Sequence, residues 1–226
     1  MNQKLLKNCY RLMIVLAGCC LFNQAIAQPP PFYKEVQAFK KSDSLHSLAK
    51  NAILFIGSSS FTKWTDVQNY FPDRTIINRA FGGSSLPDLV RYVNDIVFPY
   101  QPKQIVIYCG ENDFASSDSV TAKIVLNRFT QLFQLIRNQL PGVPIAFVSI
   151  KPSPSRERLW PKIVEGNAMI KKFLKKQRHT QYIDVYNKMW NTDGTVMRDI
   201  FIEDNLHMNA KGYAIWQKAM APYLLK

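Results

Sequence analysis

The sequence predicts an α/β fold in which one parallel sheet lies between two layers of helices, and three observations lead to this expectation. Short, continuously apolar runs are typical of strands that are covered on both faces. Between them lie segments whose apolar residues recur every three to four positions, as in amphipathic helices. Polar or glycine-rich segments follow several runs, where open parallel sheets bind their ligands. The alternation predicts a three-layer domain, and 226 residues suit a single domain.

The individual elements follow from this alternation. The predicted strands are the apolar runs at residues 52–57, 75–81, 104–110, 144–150 and 181–185. The predicted helices cover residues 86–97, 120–139, 161–178 and 210–224. The densest group of basic residues, between 171 and 178, has helical spacing and indicates a solvated helix face.

The first 27 residues are predicted to be an export signal. A basic start (Lys4, Lys7 and Arg11) precedes an apolar stretch, and Ala25-Ile26-Ala27 fits a cleavage site. The apolar stretch is too short to span a bilayer. A second interpretation stays open, because the residues that end at Cys19 resemble a bacterial lipoprotein box, in which Cys19 would be acylated and anchor the protein to a membrane. In both cases the protein is expected outside the cytoplasm, in the periplasm or secreted.

Residues 28–50 are predicted to be a proline-rich spacer and a short helix that packs outside the core, so the domain itself would cover residues 51–226. The body of the chain holds one cysteine, Cys109, which excludes an internal disulfide framework and is expected to be a small buried residue. The net charge of +13 could attract nucleic acid. Because the charges are scattered and the chain is expected to be exported, no nucleic-acid partner is predicted.

Four segments at the predicted loops carry chemistry. They are Gly-Ser-Ser-Ser at 57–60, Phe-Gly-Gly-Ser-Ser at 81–85, Gly-Glu-Asn-Asp at 110–113 and Asp-Asn-Leu-His at 204–207. Each alone is typical of a turn or a helix cap. Together they supply a serine, which needs a base to become a nucleophile, and His207 with Asp204 three residues before it. Gly83 and Asn112 offer N–H donors for an oxyanion. No G-x-S-x-G, P-loop or zinc-protease motif occurs.

The four segments, in this order over residues 52–226, resemble the conserved blocks of the SGNH (GDSL-type) hydrolases. The resemblance implies a flavodoxin-like fold with five parallel strands. It implies Ser59 as the nucleophile and Asp204 and His207 as the other members of the triad. The oxyanion hole would consist of the N–H groups of Ser59 and Gly83 and the side chain of Asn112. No metal and no organic cofactor is expected.

The sequence departs from this family at one position. Ser58 stands where the family usually has aspartate, so three consecutive serines leave the nucleophile formally ambiguous. Counting two residues past Gly57, as in the family, selects Ser59, and Ser58 and Ser60 are the alternatives.

The expected activity is hydrolysis of short-chain esters, acetyl esters of carbohydrates above all. The chain has no long insertion that could cover a long acyl group, and Trp64, Trp160 and Trp190 fall in or near loops where they could stack on sugar rings. The loops at 151–160 and 186–203 are expected to shape the substrate pockets. A lysophospholipase or thioesterase of the same family and a non-catalytic carbohydrate-binding module are the alternatives.

Overall fold

The computed structural model describes residues 28–46 and 48–226, so the predicted export signal lies outside the described residues. Five strands form one parallel sheet in the order β2-β1-β3-β4-β5. They are β1 (Ile53–Gly57), β2 (Ile76–Asn78), β3 (Gln104–Tyr108), β4 (Ile145–Val148) and β5 (Thr180–Ile183). The predicted fold class is therefore confirmed.

The four predicted helices are present. They are α4 (Leu86–Ile96), α6 (Ala122–Gln139), α7 (Trp160–Leu174) and α8 (Ala210–Met220). Helix α7 ends before the basic run does, so Lys175 and Lys176 lie in the exposed turn that leads to β5. Four further helices are α1 (Tyr33–Leu45), α2 (Ser59–Thr62), α3 (Val67–Tyr70) and α5 (Glu111–Ser116). Among the described residues, no helix has both the length and the apolar character needed to cross a membrane.

The sheet divides the core into two layers, because successive side chains of a strand point to opposite faces. On one face, Leu54 and Ile107 belong to a buried cluster with residues of α4, α6 and α7. On the other face, Phe55 and Val106 belong to a second cluster with residues of α8. The strands β1, β3 and β4 are buried along their whole length, as their continuous apolar runs predicted.

Trp64 and Cys109 are both buried completely. The Trp64 ring stacks on Tyr213 with 4.8 Å between ring centroids and meets the edge of Trp216. The suggestion that Trp64 stacks on a sugar is wrong, because its neighbours in the core already cover the ring. Cys109 occupies the buried position that was expected of it.

The helix α1 packs against the core through one side. Val36 is buried and belongs to the same cluster as the residues of α4. Near the other end of the helix, the Asp43 carboxylate accepts hydrogen bonds from both Arg79 and Tyr100. Burial, with the hydrogen bond to Asp43 as a second cause, raises the pKa of Tyr100 to about 12. The compact unit that contains the sheet spans Phe32–Lys226.

Candidate active site

The end of β1 brings the chain unusually close to β3. Gly57 has a φ of 143°, and a Cβ atom there would stand 1.9 Å from the carbonyl oxygen of Tyr108. Glycine is required because any side chain would collide with the neighbouring backbone. The next N–H, that of Ser58, donates to the same carbonyl at 3.0 Å. The chain then turns into α2, so Ser59 begins a helix at the carboxyl edge of the sheet.

A turn before α8 brings a histidine to this serine. The Nε2 atom of His207 lies 2.9 Å from Ser59 Oγ, although 148 positions separate the two residues in the chain. The Nδ1 atom of His207 lies 2.5 Å from Asp204 Oδ2. Of the three consecutive serines at 58–60, Ser59 is the one that contacts the histidine. A nucleophile and its base require this geometry.

Backbone donors fix the Asp204 carboxylate. Its Oδ1 atom accepts hydrogen bonds from the N–H groups of Leu206 at 2.9 Å and His207 at 2.8 Å. Burial by itself would raise the pKa of Asp204, but these N–H groups and the imidazole outweigh it and lower the pKa to about 2. The group is therefore a carboxylate at any ordinary pH. It can hold a proton on Nδ1 of His207 and leave Nε2 facing Ser59 as an acceptor.

The glycine pair that follows β2 lies directly against the serine. A Cβ atom at Gly82 would stand 3.9 Å from Ser59 Cβ. The loop is tied to β1 because the Ser84 hydroxyl donates to the Gly57 carbonyl at 3.1 Å. Gly83 has a φ of 84°, in the left-handed region that favours glycine. Among the described residues, the N–H groups of Ser59 and Gly83 have no protein acceptor, so both are available to an oxyanion.

Asn112 lies beside this loop, but its amide is occupied. The Nδ2 atom donates to Ser58 Oγ at 2.8 Å and to the carbonyl oxygen of Ser84 at 3.0 Å. An amide nitrogen has two protons, so Asn112 must release or share one of these bonds to reach an oxyanion. Ser58, which stands in place of the family aspartate, is buried and accepts one of them. Ser58 contacts Asn112 and not His207, so it does not occupy the position of the nucleophile.

The last residue of the Gly-Glu-Asn-Asp segment, Asp113, holds helices together. Asp113 is completely buried, and its two oxygens accept hydrogen bonds from the Leu86 N–H at 2.9 Å and from Arg128 Nη1 at 2.8 Å. Burial raises the pKa of Asp113, against the opposing effect of these two donors. Through Asp113, α5 is joined to the first turn of α4 and to α6.

A buried ion pair lies behind Asn112, and the sequence interpretation missed it. Lys151 Nζ is 2.6 Å from Glu111 Oε2, and both residues are almost fully buried. The same carboxylate accepts hydrogen bonds from Tyr108 and Ser153. Burial, followed by the charge of Glu111, raises the pKa of Tyr108 well above its ordinary value. The signal in the sequence is a lysine directly after an apolar strand, which is a costly place for an unpaired charge.

The loop after β4 also contacts the turn that carries the histidine. The Ser155 N–H donates to the Asn205 carbonyl at 3.0 Å. In the same loop, the Ser153 carbonyl accepts a hydrogen bond from Trp160 Nε1, and the Trp160 ring lies 5.1 Å from that of Trp190. Both rings are half-buried. Two of the three tryptophans suggested by the sequence are thus next to the loop that contacts the turn of His207.

The part of the chain that the structure describes contains no group of three or more His, Cys, Asp or Glu side chains arranged to bind a metal ion.

Comparison of the sequence with protein families gives one assignment. The profile of the GDSL-like lipase/acylhydrolase family matches residues 55–215, well over half of the chain. The protein belongs to this family of ester hydrolases, as the four sequence segments suggested. A comparison with curated protein sequences gives no match.

Solved structures share the fold. A protein from Streptococcus pneumonia, provisionally named a platelet activating factor, is 20% identical with a TM-score of 0.74, and the alignment covers 95% of this chain and 99% of that chain. A GDSL-like lipase from Bacteroides thetaiotaomicron is 17% identical with a TM-score of 0.71, and 83% and 95% of the two chains are covered. A mutant acetylxylan esterase from Geobacillus stearothermophilus is 13% identical with a TM-score of 0.62, and the alignment covers 77% of this chain and 94% of that chain. At these low sequence identities, the likeness shows a shared fold and no more.

Proposed function

We propose that the protein is an exported serine esterase that removes short acyl groups, acetyl above all, from carbohydrates. The observation that carries the proposal is the hydrogen-bonded row of Asp204, His207 and Ser59. The row ends beside two N–H groups that have no acceptor among the described residues. A nucleophile, a base and oxyanion donors are the three requirements of acyl transfer.

The reaction has two stages. Ser59 Oγ bonds to the ester carbonyl carbon while its proton passes to His207 Nε2, and the carbonyl electron pair moves onto oxygen. The oxyanion accepts hydrogen bonds from the N–H groups of Ser59 and Gly83, and Asn112 turns one amide proton from Ser58 to join them. The carbon–oxygen bond to the alcohol then breaks, and His207 gives its proton to the leaving oxygen. A water molecule then attacks the acyl-enzyme: its oxygen bonds to the carbonyl carbon while its proton passes to His207 Nε2. The bond to Ser59 Oγ breaks, Ser59 takes the proton back from His207, and the acid is released.

Two observations support an acetylated carbohydrate as the substrate. The leaving alcohol must lie next to His207, which protonates it, and the half-buried Trp160 and Trp190 pack beside the loop that contacts the turn of this histidine. Exposed parts of large aromatic rings provide rigid apolar surface for the faces of a ligand. In addition, an acetylxylan esterase from Geobacillus stearothermophilus has the same fold.

The test combines two kinds of substrate, nitrophenyl esters and acetylated oligosaccharides. The protein should hydrolyse nitrophenyl acetate faster than nitrophenyl octanoate and release acetate from acetylated xylo-oligosaccharides, and Ser59→Ala should abolish both activities. Trp160→Ala should raise the KM for the oligosaccharide while leaving that for nitrophenyl acetate unchanged, and Trp160→Phe, which retains a ring, should restore part of the loss. A preference for octanoate with no acetate released from sugars would indicate a lipid esterase. Absence of all hydrolysis would indicate a binding module.

Export is tested separately on the native protein. Intact-mass measurement of the periplasmic or secreted fraction should give a chain that begins at Gln28, or one that begins at a lipid-modified Cys19. Full-length protein in the cytoplasm would contradict both forms of the proposal.

A further inference from the structure

Phe32, the residue before α1, lies next to the glycine loop of the site. Its ring is 5.1 Å from that of Phe81, between centroids. Two of its ring atoms lie 3.8 Å and 3.9 Å from the point where a Cβ of Gly83 would stand. A Cβ at Gly82, the neighbouring residue, would stand 3.9 Å from Ser59 Cβ, so the Phe32 ring and the serine both lie against the same glycine pair.

The backbone at Phe32 is in a conformation that aromatic residues rarely adopt. Its φ is 64° and its ψ is 12°, in the left-handed region. Such a residue persists where its surroundings hold it, and these conformations cluster at functional sites. Here the surroundings are the helix α1, which buries Val36 and is fixed by the bonds of Asp43 to Arg79 and Tyr100. Phe32 itself is half-buried and packs against the core cluster that contains Phe81.

The stereochemistry of acyl transfer decides which part of a substrate would meet this ring. The tetrahedral carbon carries Ser59 Oγ, the oxyanion, the leaving oxygen and the acyl chain. The leaving oxygen must face His207 to receive its proton, and the oxyanion must face the N–H groups of Ser59 and Gly83. The acyl chain takes the remaining direction, away from His207.

We propose that the Phe32 ring closes the acyl end of the site and sets the longest acyl group that the enzyme accepts. This inference rests on the proposed esterase function and adds to it a residue that determines specificity. The ring comes from a segment that precedes the first strand, so the acyl limit is supplied by α1 and not by the sheet loops that carry the chemistry.

The variant Phe32→Gly tests the proposal, because it removes the ring and suits the left-handed backbone. The measurement is kcat/KM for nitrophenyl acetate, butyrate, hexanoate and octanoate. The ratio of octanoate to acetate should rise about tenfold or more, which is the discrimination that one or two methylene groups typically give in an apolar pocket. Tyr33→Ala is the matched control, since this neighbouring ring is 43% exposed and should not alter the ratio.

A second variant distinguishes a change in specificity from a loss of folding. Phe32→Trp retains an aromatic ring and enlarges it, so the preference should shift toward acetate, while cooperative thermal unfolding shows that each variant is folded. An unchanged chain-length profile in folded Phe32→Gly, with wild-type protein that hydrolyses acetate, overturns the role of Phe32 alone. Wild-type protein that hydrolyses no ester overturns the proposed function and the inference together.

Discussion

The two halves of the candidate site are held by different means. Behind the glycine loop and Asn112, the supporting groups are buried: Asp113 and Lys151 are at most 1% exposed and Glu111 is 6% exposed. In the turn that carries the base, the side chain of Asp204 is 42% exposed and that of His207 is 14% exposed. The oxyanion half is supported by charges inside the protein, and the acid–base half by short hydrogen bonds within four residues.

This difference indicates where stability and activity are coupled. Buried charges are costly unless they are paired, so disturbing one on the oxyanion side should destabilise the whole domain. The acid–base turn satisfies its carboxylate locally, from the backbone N–H groups of Leu206 and His207. Substitution of its residues should therefore lower turnover strongly and change the free energy of unfolding little.

His207→Ala should lower kcat by about four to six orders of magnitude, the usual result of removing the base from a serine triad. Its melting temperature should stay within a few degrees of the wild-type value. His46→Ala and His179→Ala are the controls, since neither histidine contacts Ser59, and both should retain activity. Near wild-type turnover in folded His207→Ala would refute the triad.

Lys151→Met should lower the free energy of unfolding by about 3–5 kcal/mol, because it leaves Glu111 buried without its cation. Adding Glu111→Gln should restore a large part of that loss. The control is Arg158→Met, which breaks a pair with Asp118 of the same 2.6 Å length but with side chains that are 65% and 83% exposed. That change should cost at most about 1 kcal/mol. Chemical denaturation measures all three, and equal losses from both ion pairs would contradict the role of burial.

Asn112→Ala should lower kcat by about two to three orders of magnitude, the usual cost of removing one oxyanion donor. Ser58→Ala should have a much smaller effect, because it frees an amide proton of Asn112 and leaves the bond to Ser84 in place. Steady-state kinetics on nitrophenyl acetate distinguishes the two. A change in KM alone for Asn112→Ala would make this residue a substrate-binding group.

Asp204→Asn should change stability least. The pKa of Asp204 is lowered to about 2, so its ionisation stabilises the fold above the ordinary pKa of 3.8, and this contribution is lost as the pH falls through about 2. Because the side chain is 42% exposed, the contribution at pH 7 should be below about 1 kcal/mol. Unfolding at pH 7 and at pH 3 should show a smaller difference between variant and wild type at the lower pH. A difference that grows toward acid would have the wrong sign.

The positions of the strands along the chain and the loops that bear polar residues could be predicted from the sequence. Continuous apolar runs identify the buried strands, and the carboxyl ends of parallel strands meet at one edge of the sheet. That rule is enough to expect Ser59, Gly83 and Asn112 near one another. The roles of these residues, and those of Asp204 and His207, stay predictions until variants are measured.

Other features could not be predicted, because they depend on how loops pack. The pairing of Lys151 with Glu111 joins residues 40 positions apart and has no local pattern. The bond between Ser58 and Asn112 needs the register of two loops across β1 and β3. Trp64 follows the predicted serine by five positions and looks like a loop residue, yet it is covered by residues of α8 near the other end of the chain.

The 148 positions between Ser59 and His207 have a consequence for the timing of synthesis. Every strand of the sheet is translated after the serine and before the histidine, apart from β1 itself. A nascent chain can therefore contain every strand of the sheet and still have no base for its nucleophile. Hydrolytic competence arises only when the turn that carries His207 reaches the sheet edge, and a chain that ends before this residue is expected to be inert toward esters.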